Sequence, residues 1–237
     1  MSIQHDETIT LPTREALLGI TDSHIHYVTE DIGIHCQMFE AWLSLEKTAK
    51  EDGITLCIAS GFRSFERQLS IWNRKCSGQL DILNKEEKVI DTANFSKLDK
   101  IKAIMLFSAL PGTSRHHWGT DIDVYAPNLL DEGYKLKLQV QEYDSNGPLY
   151  ELNKWLSEKA AKFGFYRPYD KFRNGVYREP WHLSYDPLAN QFEQCLSVEI
   201  IKAQLINSDI EIKTAIVENL DLLFEQYVTN TGNFTRG

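Results

Sequence analysis

The stretch Thr120-Asp-Ile-Asp-Val-Tyr125 constrains this chain more than any other. Its residues alternate polar and apolar with a period of two, which is the period of a β-strand. Ile122 and Val124 therefore share one face, and Asp121 and Asp123 share the other. The pattern predicts a half-buried strand presenting two carboxylates away from the core. Residues 54–59 (ITLCIA), apolar and rich in β-branched side chains, predict a second, buried strand, and residues 181–185 a third.

Helical spacing surrounds these strands. A short helix after Pro12 carries Leu17 and Leu18. One over 35–50 uses Met38, Phe39, Trp42, Leu43, Leu45 and Ala49 and stops at Gly53, and one over 65–75 turns Leu69 and Trp72 inward. Residues 149–163 follow through Leu152, Trp155, Leu156, Ala160 and Phe163, and 188–203 form a further helix. A last helix, opened by a capping box of Ser208 and Glu211, aligns Ile212, Ile216, Leu220, Leu223 and Tyr227. Residues 77–112, densely charged from Lys85 to Lys102, read as a partly helical insertion with Ile101, Ile104, Met105 and Phe107 available to pack. No repeat or low-complexity linker interrupts the chain, so an α+β fold is expected. Its main body spans residues 1–190, and residues 191–237 form a helical extension packed on it.

The 237 residues, 42% of them hydrophobic, suffice for one good-sized core. Thirty-four acidic residues against 25 basic ones give a net charge of −9, which excludes the generally basic surface of a non-specific nucleic-acid binder but not a local basic pocket. Cys36, Cys57, Cys76 and Cys195 are scattered without a CxxC pair, the usage of reduced thiols in a cytosolic protein. The opening MSIQHDETITLPTREALLGI has no basic-then-apolar leader, and no apolar run approaches the ~18 residues of a membrane span. The expectation is a cytoplasmic protein with neither nucleic acid nor membrane as partner.

Three segments carry chemistry: Ser60-Gly-Phe-Arg63-Ser-Phe-Glu-Arg-Gln68, Ser114-Arg-His116-His-Trp-Gly119-Thr-Asp-Ile-Asp123, and Glu179-Pro-Trp-His182. His116 and Asp123, with a permissive glycine between them, can bring a nitrogen and a carboxylate oxygen to one metal ion. His182 completes the roughly three protein ligands that catalytic zinc uses with one open position, and Glu179 supplies a carboxylate beside the metal. Taken singly, each residue also fits a plainer role: His116 a hydrogen-bonded surface histidine, His182 a core histidine between Trp181 and Leu183, Glu179 a solvated loop carboxylate.

In order along the chain, these segments resemble the SGYRS…Q, SxHxxGxAxD and ExWH motifs of the VanY-like D-alanyl-D-alanine carboxypeptidases. These are zinc peptidases grouped with VanX-like dipeptidases, bacteriophage peptidoglycan endopeptidases and the hedgehog fold. The resemblance runs from about residue 38 to 185, and Gly175-Val-Tyr-Arg-Glu-Pro-Trp-His-Leu-Ser-Tyr185 follows the family's GYxxEPWHLRY. It implies a hedgehog-like α+β fold with a small antiparallel sheet and flanking helices, a Zn2+ cofactor, and a peptidoglycan-derived peptide substrate cut before a C-terminal D-alanine. It further implies zinc ligands at His116, Asp123 and His182. Glu179 becomes the base that activates the attacking water and then the acid toward the leaving amine. Arg63 becomes the oxyanion stabiliser, Ser114 the holder of the terminal carboxylate, and Gln68 a liner of the same cleft. L,D-carboxypeptidase, D,D-dipeptidase and endopeptidase activities use the same apparatus, and a hedgehog-like binding module without turnover is the alternative of another class.

One position departs from the pattern: Asp121 stands where the family has alanine. It can serve as a partner for a ligating histidine, as a pocket carboxylate that repels acidic substrates, or as an exposed residue at a strand edge. His117 competes with His116 as a ligand, and motif spacing favours His116. Trp181 and Tyr177 read as wall and support residues, not catalysts. His24, His26 and His35 match no motif, and structural roles are expected of them. The insertion 77–112 either borders the cleft or is a variable surface elaboration.

Overall fold

A computed structural model describes residues 11–234. Residues 1–10, the first half of the stretch read for a leader, and residues 235–237 lie outside the described residues. In chain order the elements are α1 (Arg14–Leu17), β1 (Ile25–Tyr27), β2 (Gly33–His35), α2 (Phe39–Glu51), β3 (Cys57–Ser60), α3 (Phe65–Cys76), α4 (Lys97–Met105), β4 (Asp121–Tyr125), α5 (Val140–Tyr143), α6 (Tyr150–Lys159), β5 (Phe165–Tyr166), β6 (His182–Tyr185), α7 (Asp186–Cys195), α8 (Val198–Ile206), α9 (Lys213–Glu218) and α10 (Leu220–Leu223). A small antiparallel sheet runs in the order β3-β4-β6-β5, and β1 and β2 form a separate antiparallel pair.

β4 is the strand that alternation predicts, and its setting differs from the expectation in one respect. Both of its faces are buried, with Asp121 fully inaccessible and Asp123 5% exposed. Ile122 and Val124 point into an apolar cluster with Leu183 of β6, Trp42 and Leu45 of α2, and Leu152 and Leu156 of α6. The opposite, polar face is covered by a tight turn, Arg115–Trp118, and by α7. A half-buried strand needs only water on its polar face; here the covering residues must supply that face with partners instead.

A second cluster joins α1, α3, α4 and the C-terminal helices through Trp72, Ile101, Ile104, Met105, Ile216 and Leu223. The apolar side of the insertion 77–112 is thus core. Asn73 of α3 clasps the segment before α9, donating to the Asp209 carbonyl at 2.9 Å and accepting from the Glu211 amide at 2.9 Å.

Two helical expectations need correction. The span 188–203 is not continuous: Leu196 adopts an extended backbone (φ −78°, ψ 130°), and the Ser197 hydroxyl caps a new helix, α8, by accepting from the Ile200 amide. Serine at that point favours a cap over a helix interior. The Ser208–Glu211 capping box does not form, because the Ser208 hydroxyl donates back to the Leu205 carbonyl and α9 starts only after Ile212, held at φ 53°. The apolar stripe of Ile216, Leu220, Leu223 and Tyr227 is buried nonetheless, since burial follows periodicity and not the cap. The strand expected over 54–59 is shorter, Cys57–Ser60, because Ile54 and Leu56 pack before pairing begins.

Gly119 ends the covering turn at φ +70°, and its carbonyl accepts from the His35 amide at 2.8 Å. A Cβ there would lie 2.3 Å from Ile25 Cδ1 and 2.9 Å from the His35 nitrogen. Gly53 has φ +82°, and a Cβ added there would meet nothing within 4 Å. Left-handed backbone alone costs an L-residue about 1–2 kcal/mol. Gly53→Ala is expected to lose about that much in urea unfolding, and Gly119→Ala distinctly more. Equal losses would show that the contact with β1 and β2 is not a constraint.

Candidate active site

The antiparallel register of β4 and β6 places Asp123 directly opposite His182. The turn that precedes β4 swings His116 onto the same pair. His116 Nε2 lies 3.4 Å from Asp123 Oδ2, and His182 Nδ1 lies 3.2 Å from Asp123 Oδ1. One donor atom from each of the three residues falls within 4.8 Å of the others, an arrangement able to hold a metal ion.

Hydrogen bonds on the far side of each ring fix which nitrogen is free. His116 Nδ1 faces the Gly61 carbonyl at 2.9 Å, and His182 Nε2 faces Asp121 Oδ1 at 3.0 Å. Carbonyl and carboxylate oxygens only accept, so these two nitrogens carry the hydrogens and donate. In the neutral rings His116 Nε2 and His182 Nδ1 then present lone pairs to the same point, beside Asp123 Oδ1, which is buried without a hydrogen-bond partner. Two imidazole nitrogens and a carboxylate oxygen suit zinc, with one position left for water or substrate. The electrostatics agree. Burial pushes His116 down to about 4. Burial also opposes a charge on His182, but its contacts with Asp121, Asp123 and Glu179 outweigh that and raise it well above its ordinary value. The carboxylates that favour positive charge on this ring favour a metal cation at the same point.

Glu179 stands beside this point, its Oε2 3.4 Å from His182 Nδ1, and burial raises its carboxyl pKa. Its backbone amide donates to the Tyr169 carbonyl at 2.9 Å. The segment carrying Tyr169 is pinned by residues 230–232: the Gly232 amide donates to Pro168 O at 2.7 Å, and Asn230 Nδ2 to Arg173 O at 2.6 Å. Arg63 and Ser114 join His116, Glu179 and Trp181 around a cleft of about 340 Å³. Leu83, Glu87 and Phe107 of the insertion line it as well, so the insertion borders the cleft.

Gln68 does not line it. It is fully buried behind Arg63, accepting from Arg63 Nη1 at 3.0 Å and donating to the Ala109 carbonyl at 2.6 Å. With Ser60 Oγ, which accepts from Arg63 Nη2 at 3.1 Å, it aims the guanidinium. His117 points away from His116 into the interior, where Nδ1 donates to the Arg63 carbonyl at 2.6 Å and Nε2 accepts from the Gly112 amide at 3.0 Å. Of the three settings open to Asp121, the structure shows neither an exposed strand edge nor the cleft wall: its carboxylate is buried against His182 Nε2. The rings of His24 and His35 lie 5.4 Å apart among Phe62 and Phe192, and His26 packs on Phe39, with no third ligand beside them among the described residues. Tyr177 packs between Phe107 and Phe172.

Sequence reasoning missed Arg115. It is 3% exposed and donates through Nε to Asp121 Oδ1 at 2.8 Å. The signal was present: a buried carboxylate is costly without a partner, and Arg115 stands six residues before Asp121 in the same segment.

The family model described as VanY, D-alanyl-D-alanine carboxypeptidase, matches residues 31–188. A Haemophilus influenzae protein described as uncharacterized is 36% identical over 121 residues, covering 50% of this chain and 92% of its own length. The D-alanyl-D-alanine carboxypeptidase of Enterococcus faecalis is 29% identical over 140 residues, covering 58% of this chain and 42% of its own. The structure of VanYB in complex with D-alanine-D-alanine superposes with a TM-score of 0.51 at 24% identity, covering 80% of this chain and 91% of that one, and so shares the fold.

The His117 tether has a measurable weight. His117→Ala leaves the Arg63 carbonyl and the Gly112 amide without these partners, and a buried group left unsatisfied costs about 1–3 kcal/mol. A loss of roughly 2–4 kcal/mol in urea unfolding is expected; a loss below ~1 kcal/mol would mean that the tether is dispensable.

Proposed function

This chain belongs to the VanY family of D-alanyl-D-alanine carboxypeptidases, and we propose that it is a zinc-dependent carboxypeptidase that releases a C-terminal D-alanine from peptidoglycan-derived peptides. One observation carries the reading: two histidine lone pairs and an unpartnered Asp123 oxygen converge beside a buried carboxylate, Glu179, in a cleft that also holds Arg63.

In this reading His116, Asp123 and His182 hold the zinc ion. When bound, zinc polarises the scissile carbonyl and makes water a stronger acid. Glu179 takes the proton from the attacking water. Its raised pKa suits that work, because a carboxylate that binds a proton more readily is a better base and can pass the proton on to the leaving amine. Arg63 faces the charge that grows on the carbonyl oxygen. Its fork is already aimed by Ser60 and Gln68, so little reorganisation is needed as that charge develops. Ser114, at the cleft wall two residues before His116, takes the terminal carboxylate of the peptide, and Trp181 closes the wall beside the reacting bond.

The test is D-alanine release from tri-, tetra- and pentapeptides of muropeptide type, with zinc and with chelator. Turnover is expected with peptides ending in D-Ala-D-Ala and lost with the chelator. Glu179→Ala should lower kcat about 10²–10⁴-fold while zinc still binds. Arg63→Lys keeps the charge but loses the fork, and a fall of about 10²-fold is expected. Preferred release from tetrapeptides, or of a dipeptide, would reassign the specificity to the L,D-carboxypeptidase or D,D-dipeptidase type. Folded, zinc-loaded protein that cleaves none of these peptides would falsify the enzyme reading in favour of a binding module.

A further inference from the structure

We propose that Asp121, held in place by Arg115, is a positioning residue of the metal site, fixing the His182 ring so that Nδ1 and not Nε2 is presented to the ion. The inference rests on the reading of His116, Asp123 and His182 as ligands. It concerns a residue that the family pattern does not share, since alanine is usual at this position.

Three observations carry it. Asp121 is wholly buried, and both of its oxygens are engaged: Oδ1 with His182 Nε2 at 3.0 Å and Arg115 Nε at 2.8 Å, Oδ2 with Thr120 Oγ1 at 2.7 Å. Arg115 in turn has little freedom. Its Nη2 donates to Ser184 Oγ at 2.8 Å and to the Tyr166 hydroxyl at 3.0 Å, its guanidinium lies 4.7 Å over the Trp118 ring, and its Nη1 is 3.6 Å from Glu193 Oε1 on α7. Third, strand geometry delivers the contact. Asp121 pairs with Ser184, so its side chain shares a face with His182 and Asp123 and reaches the back of the imidazole, not the metal side.

A line of contacts thus runs Glu193, Arg115, Asp121, His182, a guanidinium between two carboxylates with the second of them accepting from the imidazole. A carboxylate on the non-ligating nitrogen does two things. It sets the tautomer and orientation of the ring, and it makes the ligating nitrogen a stronger donor. With alanine at position 121 that nitrogen would lose this acceptor, and Arg115 would lose its closest charged partner. Asp121 and Arg115 therefore form a unit, and the second explains how the first can be buried.

The experiment is zinc affinity, measured by competition with a chromogenic chelator, alongside thermal unfolding of the same samples. Asp121→Ala should weaken zinc binding about 10–100-fold. Because it strands a buried guanidinium, the double variant Asp121→Ala/Arg115→Met, which removes both charges, is measured too and should show the same loss of affinity with better stability. Asp121→Asn, whose side-chain oxygen still accepts from Nε2–H, should recover part of the affinity. In the cobalt-substituted protein, the visible absorption of Asp121→Ala should differ from that of the unaltered chain. Variants that bind zinc as tightly as the unaltered chain, differing only in Tm, would overturn the positioning role and leave the proposed function standing. An unaltered chain that binds no zinc would overturn both.

Discussion

The polar face of β4 and β6 is buried, and the structure is organised around that constraint. Asp121, Asp123, His182 and Ser184 share one face of the sheet with almost no access to water. Each needs a partner inside the protein or a ligand, because an unpaired buried charge is far more expensive than a paired one. Arg115 takes up Asp121 and Ser184, and Asp121 takes up the back of His182. What remains without a hydrogen-bonded partner is Asp123 Oδ1, at the point where the two histidine lone pairs meet. The unmet demand of the polar face and the candidate metal position are the same place.

The rest of the fold holds this arrangement from three sides. The apolar face of the sheet seats on α2 and α6, so β4 and β6 cannot shift without opening a core. The turn bearing His116 is fastened through Gly119 to β2 and through the buried His117 to the backbone of Arg63. Asn230 and Gly232 clasp residues 168–173, and the Tyr169 carbonyl within them accepts from the Glu179 amide. The C-terminal segment, far from any motif, thereby supports the backbone of the proposed base. His117 and Gln68 show the same division of labour: neither acts in the cleft, and both decide where Arg63 points.

Much of this was legible in the sequence. The alternation in β4, the helical stripes and the order of three short segments are local patterns, and local patterns survive without tertiary information. The segments brought His116, Asp123, His182, Glu179 and Arg63 to notice, and in the structure all five line one cleft. The failures are equally physical. Ser208 and Ser197 are both cap-competent serines, yet Ser197 caps α8 while the Ser208 hydroxyl turns back to the Leu205 carbonyl, a difference that residue type does not report. Gln68 belongs to the same segment as Arg63, yet burial, which no short pattern reports, turned it from a wall residue into a support.

By itself, the sequence determined the strand that carries two aspartates, the acidic balance of the chain, and the identity of the groups able to bind a metal and move a proton. Those properties reside in residue type and in spacings of two to seven positions. Tertiary structure alone decided that both faces of that strand would be buried, and therefore that Asp121 needs Arg115 and that His182 turns its Nδ1 toward Asp123. These follow from residues up to 78 positions apart in the chain, Arg115 and Glu193, meeting across a covered sheet, and whether a polar face meets water or protein is set by what packs on it, not by its own alternation.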